Sequence, residues 1–198
     1  ACDTGGPEYE TLNALGPMPF ISDMEAIIYT NLRCNELGLD TISTGVTVSF
    51  ALACYENGLL DEYDVQLAWG DADAAIDIIE KMAHREGLGD VLANGVRKAA
   101  EQIGGGAQKF AMHVKGLEMP RQDPRLAKAF GLAHATSNRG ADHMYALPTI
   151  DAVGAVDVAK RYFPAEIVDD MLDSYNESVK PDMVILGERF CAISDALG

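Results

Sequence analysis

Apolar residues recur at helical spacing along most of the chain. Met24, Ile27, Ile28 and Leu32 fall on one face of a helix that the Ser-Asp-Met-Glu stretch at 22–25 opens as a capping box and Gly38 closes as a left-handed cap. A second helix is predicted to start between 40 and 43 and to run through Val46, Phe50 and Cys54 to Gly58. Asp71 caps a third, which carries Ala75, Ile78, Ile79 and Met82 and ends by Gly87. Asp90 opens a fourth, with Val91, Val96, Ala99 and Ile103, that ends in the glycines at 104–106. Residues 65–67 and 110–114 are the strand candidates, too brief for a large sheet. Beyond them, Asp123 with Pro124 reads as an N-cap and first-turn proline, opening a helix through Leu126, Phe130 and Ala133 that breaks near Asn138, Arg139 and Gly140. Further helices are predicted from about Pro164 and from about Pro181. The pattern is that of a mainly α fold with a few short strands, divided near residue 115 into segments 1–115 and 116–198.

Charge narrows the partners. The 198 residues carry 31 acidic against 15 basic side chains, a formal charge of -16, and no run of Lys and Arg offsets it. Such a surface repels phosphate, so nucleic acid is excluded as the expected partner. The longest apolar stretch, 45–55, is interrupted by Thr47 and Ser49 and falls short of the ~20 residues that span a bilayer, so no membrane partner is expected. The N-terminal residues lack the basic start and apolar core of a signal peptide, which makes the cytoplasm the expected setting. Cys2, Cys34, Cys54 and Cys191 form no C-x-x-C pair and read as reduced thiols, with no metal site of this chain's own. The chain does not begin with Met, and a piece of a longer protein is the expectation.

Four clusters carry candidate chemistry, each with an ordinary structural explanation beside it. Glu8, Tyr9 and Glu10 follow a Gly-Pro turn, where an acidic first helical turn also suits the macrodipole. The stretch from Asn35 through Gly38 and Leu39 to Asp40 and Thr41 reads as a helix end and the cap of the next helix. Residues 115–125 form a polar loop with two prolines, in which Glu118, Arg121, Asp123 and Arg125 are also explained as solvated charge. Residues 135–143 place hydroxyls, Arg139, Asp142 and His143 together at a helix end. His84 and His113 read as structural, and His134 stays open.

At these clusters the sequence resembles the aldehyde:ferredoxin oxidoreductase family, tungsten enzymes with a bis-pterin cofactor and a nearby 4Fe–4S cluster. The resemblance rests on Gly-Pro-Glu-Tyr-Glu-Thr at 6–11, Gly-Leu-Asp-Thr-Ile-Ser-Thr-Gly at 38–45, Arg-Glu-Gly-Leu-Gly-Asp-Val-Leu-Ala-Asn-Gly at 85–95, the loop at 115–125, and Thr-Ser-Asn-Arg-Gly-Ala-Asp-His at 136–143. It implies helical domains in which two copies of a D-x-x-G-L-C/D motif hold the two pterins. The first copy corresponds to Asn35, Gly38, Leu39 and Asp40, with Asn in place of the leading Asp; the second begins at Asp195. A carboxylate that accepts from both the 2-amino group and the ring N–H of a pterin makes oriented, charge-assisted hydrogen bonds, whereas Asn35 offers one neutral acceptor. The resemblance further implies Glu10 as acid/base, His143 as hydrogen-bond partner of the substrate oxygen, Arg121 or Arg125 as a pterin contact, and Glu8, Arg139 and Asp142 as groups shaping the pocket.

The same resemblance implies that the cluster cysteines and the family's β domain lie outside this chain, and that Cys2 is too close to Glu10 to be one of those ligands. Pterin phosphates would be gripped by that β domain or by a bridging Mg²⁺. The implied reaction oxidises an aldehyde to a carboxylic acid, with tungsten (or molybdenum) at the cofactor and ferredoxin as electron acceptor. The expected partners are the aldehyde, ferredoxin, the rest of the parent protein and, as one possibility for assembly, a second copy in a homodimer. This chain alone is expected to be inactive. Two alternatives stand beside this reading: a related tungsten reductase of an aromatic thioester or acid, and a helical module that has lost its cofactor.

Overall fold

The computed structural model describes residues 5–198. The chain forms two compact units, Ala1–Arg121 and Gln122–Gly198. The division lies a few residues beyond the one read from the sequence, because a short hairpin closes the first unit. That unit holds helices α1 (Tyr9–Leu15), α2 (Met24–Leu37), α3 (Thr41–Glu56), α4 (Ala72–His84), α5 (Leu88–Leu92) and α6 (Val96–Ile103), then strands β1 (His113–Val114) and β2 (Leu117–Glu118). The strands are antiparallel, with His113 opposite Glu118, and β2 packs on α3.

Helix α3 is the centre of this unit. Its buried residues, among them Val46, Val48, Phe50, Leu52 and Cys54, surround most of the helix, the pattern of an element enclosed on several sides. Asp40 starts it by accepting the Ser43 N–H at 2.7 Å. Gly45 lets α1 lie directly on it: a Cβ at that position would sit 2.1 Å from the Ala14 carbonyl oxygen. Gly38 ends α2 at φ 72°, a left-handed backbone that glycine adopts without a Cβ penalty.

Helices α2 and α4 are pinned by Arg33, whose guanidinium donates to both Glu80 oxygens at 2.6 and 3.1 Å and also to Glu36. Arg33 holds the Glu80 carboxyl below the usual carboxylate range, chiefly through that hydrogen bonding. The pair therefore adds stability above the ordinary carboxylate pKa, and the gain is lost as pH falls through the lowered one. Glu80→Gln is expected to melt slightly below the wild type at neutral pH and together with it in strong acid, and thermal melts across that range check this. The effect is small because both side chains keep contact with water.

Some local expectations change in the fold. Helix α2 is capped by Asp23, which accepts the Glu25 N–H at 2.9 Å, rather than by a capping box from Ser22. Its buried face is Ile27, Thr30, Asn31 and Cys34, whereas Met24 is exposed. The single helix expected from Asp90 breaks at Gly95, φ 81°, into α5 and α6. Residues 65–67 form no strand, and of 110–114 only His113 and Val114 pair.

The second unit contains α7 (Lys128–Thr136), α8 (Val156–Tyr162), α9 (Val168–Leu172) and α10 (Lys180–Leu197). Ala129, Ala133, Ala146, Met171, Met183 and Val184 form its core, with α7 packed on α10. Helix α7 begins later than expected, because Asp123 turns the chain by accepting the Arg125 N–H at 2.9 Å. The helix expected from Pro164 is a short 3₁₀ turn, Ala165–Ile167, followed by α9. No single helix among the described residues is long and apolar enough to cross a membrane.

Candidate active site and cofactor motifs

Glu10 is the second residue of α1 and is only 7% exposed. Its Oε2 accepts the Arg121 N–H at 3.0 Å, and the Arg121 guanidinium lies 4.7 Å from the centre of the Tyr9 ring. The loop that follows β2 thus returns to α1 and brings together two residues the sequence had marked separately. Thr11, the next residue along, shares a 2.6 Å hydroxyl contact with Thr41 at the start of α3. With Gly45 beneath Ala14, this fixes α1, and Glu10 with it, relative to the first motif.

In that motif, the Asn35 amide nitrogen donates to the Asn31 carbonyl at 2.9 Å and to Asn31 Oδ1 at 3.3 Å. Its carbonyl oxygen is what it offers to a ligand. Asp40 shares Oδ2 with the cap of α3, leaving Oδ1 as its uncommitted acceptor. Both residues are exposed, and nothing lies within 4 Å of the space where a Gly38 Cβ would be. Asn35 lines a polar cavity of about 340 Å³ with Glu8, Thr11, Asn31 and Thr41. Leu39 and Asp40 line another, about 330 Å³, with Thr44, Thr47 and Glu118. Asn35 and Asp40 thus offer acceptor oxygens on either side of a left-handed glycine, each beside its own cavity.

Glu118, marked in the sequence only as part of a polar loop and explained there as solvated charge, is instead buried. It is 6% exposed and its Oε1 accepts the Val96 N–H at 2.9 Å, supplying the cap that α6 lacks locally. A Cβ at Gly95 would lie 2.8 Å from that oxygen. Only a pairing between β2 and α6 that no local spacing announces could have revealed it.

In the second unit, Arg139 donates to Asp142 Oδ2 at 2.9 Å, and His143 is half-buried in the turn after it. Arg125 is paired with Asp123 through both carboxylate oxygens, Nε donating at 3.0 and 2.9 Å, and is exposed. Asp195 is exposed near the C-terminal end of α10. Asn35 lies three positions before Gly38, the left-handed glycine that ends α2. Burial, with the charges of Asp195 and Asp142, pushes the Cys191 thiol up. Cys34, Cys54 and Cys191 are free, and burial pushes Cys34 and Cys54 up to about 11. Cys2 lies outside the described residues. No group of three or more His, Cys, Asp or Glu side chains suited to a metal ion occurs among the described residues.

His84 stands on the surface of α4, 3.9 Å from Glu80, while His113 Nδ1 accepts the Gly116 N–H at 3.3 Å. His134 is buried beside Phe130, their ring centres 6.1 Å apart.

A family model described as "Aldehyde ferredoxin oxidoreductase, domains 2 & 3" matches residues 1–198. The tungsten-containing aldehyde ferredoxin oxidoreductase of Thermococcus kodakarensis is 40% identical over 98% of this chain and 31% of its own length. The enzyme of that name from Pyrococcus furiosus is 45% identical over 72% of the chain and 24% of its length. The aliphatic sulfonate oxidoreductase, WOR-like subunit, of Pyrococcus furiosus is 34% identical over 69% of the chain and 23% of its length. Among solved structures, the active site complex BamBC of benzoyl coenzyme A reductase matches with a TM-score of 0.72 at 22% identity, over 94% of this chain and 32% of that one, a likeness of fold. The chain spans about a third of the length of the first of these curated relatives. With the family model matched along its whole length and a relative 40% identical over nearly all of it, the chain belongs to the aldehyde ferredoxin oxidoreductase family.

Proposed function

We propose that this chain is the helical part of a tungsten pterin enzyme that oxidises aldehydes to carboxylic acids and passes the electrons to ferredoxin. One observation carries this reading: 40% identity along 98% of the chain to an enzyme named for that metal and that acceptor. The overall reaction takes an aldehyde and water to a carboxylic acid, two protons and two electrons. A bound tungsten pterin group, with a 4Fe–4S cluster whose ligands would lie outside this chain, would supply the two-electron redox chemistry.

The residues of this chain bind, orient and move protons. Asn35 Oδ1 and Asp40 Oδ1, flanking the turn at Gly38 and Leu39, would accept hydrogen bonds from one pterin, and Asp195 would do the same for the second. Phosphate binding falls to groups outside the chain or to Mg²⁺, since Arg125 is engaged by Asp123 and the Arg121 guanidinium lies over Tyr9. Glu10 takes a proton at its carboxylate as water adds to the carbonyl carbon, its position held by the Arg121 N–H. His143 donates a hydrogen bond to the substrate oxygen, while Arg139 and Asp142 hold the turn that carries it.

The test is aldehyde-dependent reduction of ferredoxin or a viologen dye by the intact protein purified without oxygen. Reduction that needs the aldehyde is the expected result, and none with any aliphatic or aromatic aldehyde overturns the reading. A second reading, oxidation of an aliphatic sulfonate, is favoured by the 34% identical relative. The same assay with a sulfonate in place of the aldehyde separates the two.

A further inference from the structure

In the second unit, α10 runs beside the segment that follows His143 and meets it at a succession of points. The Lys180 ammonium lies 2.9 Å from Asp151 Oδ2, and the two side chains are 2% and 3% exposed. The same ammonium donates to the Asp173 carbonyl at 2.7 Å and the Met171 carbonyl at 3.2 Å, so one buried cation ties together three stretches of chain. Seven residues further along α10, a Cβ on Gly187 would lie 1.8 Å from the Ala146 carbonyl oxygen. Glu188 sits beside the Tyr145 hydroxyl.

The order is antiparallel: 180 meets 151, 187 meets 146 and 188 meets 145. Lys180, Gly187 and Cys191 share one face of the helix by their spacing. His143 lies two residues before Tyr145, the first paired residue of the segment, and the helix continues past Glu188 to Asp195. Leu147, inside the same segment, has φ 40°, a strained backbone that persists where its surroundings over-determine it.

We propose that the buried Lys180–Asp151 pair and Gly187 are positioning residues that set the register of segment 145–151 on α10, and through it fix His143, two residues before that segment, relative to the helix that carries Asp195. The catalytic consequence rests on the role proposed for His143; the register itself does not. Removing one charge alone would leave the other buried without its partner, so the paired variant Lys180→Met/Asp151→Leu, apolar at both positions, is the cleaner probe. In the intact protein, hydrogen exchange of the 145–151 amides is expected to quicken. kcat is expected to fall roughly 10²-fold with KM near the wild-type value, as displacement of an oriented group predicts.

Gly187→Ala, which forces the Ala146 backbone off the helix, is expected to give the same two changes, and it decides the matter if the paired variant does not fold. Wild-type exchange across 145–151 in either folded variant overturns the proposal. Faster exchange with wild-type kcat removes the catalytic link to His143 and so also overturns it. Faster exchange in a protein that is inactive towards aldehydes even as wild type keeps the register and sinks the functional reading instead.

Discussion

Replacing Glu10 with glutamine is expected to lower aldehyde turnover by about 10²–10⁴-fold, the usual contribution of a positioned acid/base group, with Tm close to the wild type. The amide keeps an oxygen that can accept the Arg121 N–H, so the contact that closes the loop after β2 onto α1 survives. What is lost is the ability to take a proton. The comparison is a kcat measurement on variant and wild type matched for tungsten content, beside a thermal melt. Undiminished turnover at equal metal loading would remove Glu10 from the chemistry and return it to the structural reading, an acidic residue in the first turn of a helix.

The second large effect is structural and reaches the same residue. Gly45→Ala places a methyl group 2.1 Å from the Ala14 carbonyl oxygen and 2.4 Å from its carbon. Both are backbone atoms of a helix end, so no side-chain rotation relieves the contact. Helix α1 must move off α3, taking with it the Thr11–Thr41 hydroxyl contact and the Glu10–Arg121 hydrogen bond. Overpacking of this kind costs about 1–3 kcal/mol, enough to lower Tm by several degrees. Turnover is expected to fall beyond what the loss of stability explains, because Glu10 lies one turn before Ala14. A melt and a kcat measurement on the variant test both parts, and a wild-type Tm would show that α1 does not approach α3 so closely.

How much of this was legible in the sequence depended on how local the cause was. Asp40, Asp71 and Gly38 act within a few residues of where they stand, and the elements they begin or end follow the spacing. The break at Gly95 did not, because the group that caps α6 is Glu118, 22 residues away. Helix α2 misled for another reason. Its inward face includes Thr30 and Asn31, and Asn31 lines the cavity beside Asn35, so apolar periodicity pointed to the wrong side. Helix α8 escaped notice because, in seven residues, only Ala159 is buried. The candidate site was visible as residue types in motifs, but not as contacts. The sequence marked Glu10 and Arg121 separately and gave no sign that a backbone N–H joins them 111 positions apart. Lys180 drew no attention at all, since a lysine next to a helix-starting proline looks like a solvated residue until its burial is known.

The central claim is the proposal that this chain is part of a tungsten pterin enzyme, with Asn35, Asp40 and Asp195 as acceptors for the pterin. Its most direct test is the tungsten and pterin content of the intact protein, purified without oxygen from cells supplied with both tungstate and molybdate. Tungsten and pterin that stay with the protein through purification in fixed proportion are the predicted result. Protein that is folded but free of pterin, tungsten and molybdenum alike would contradict the account.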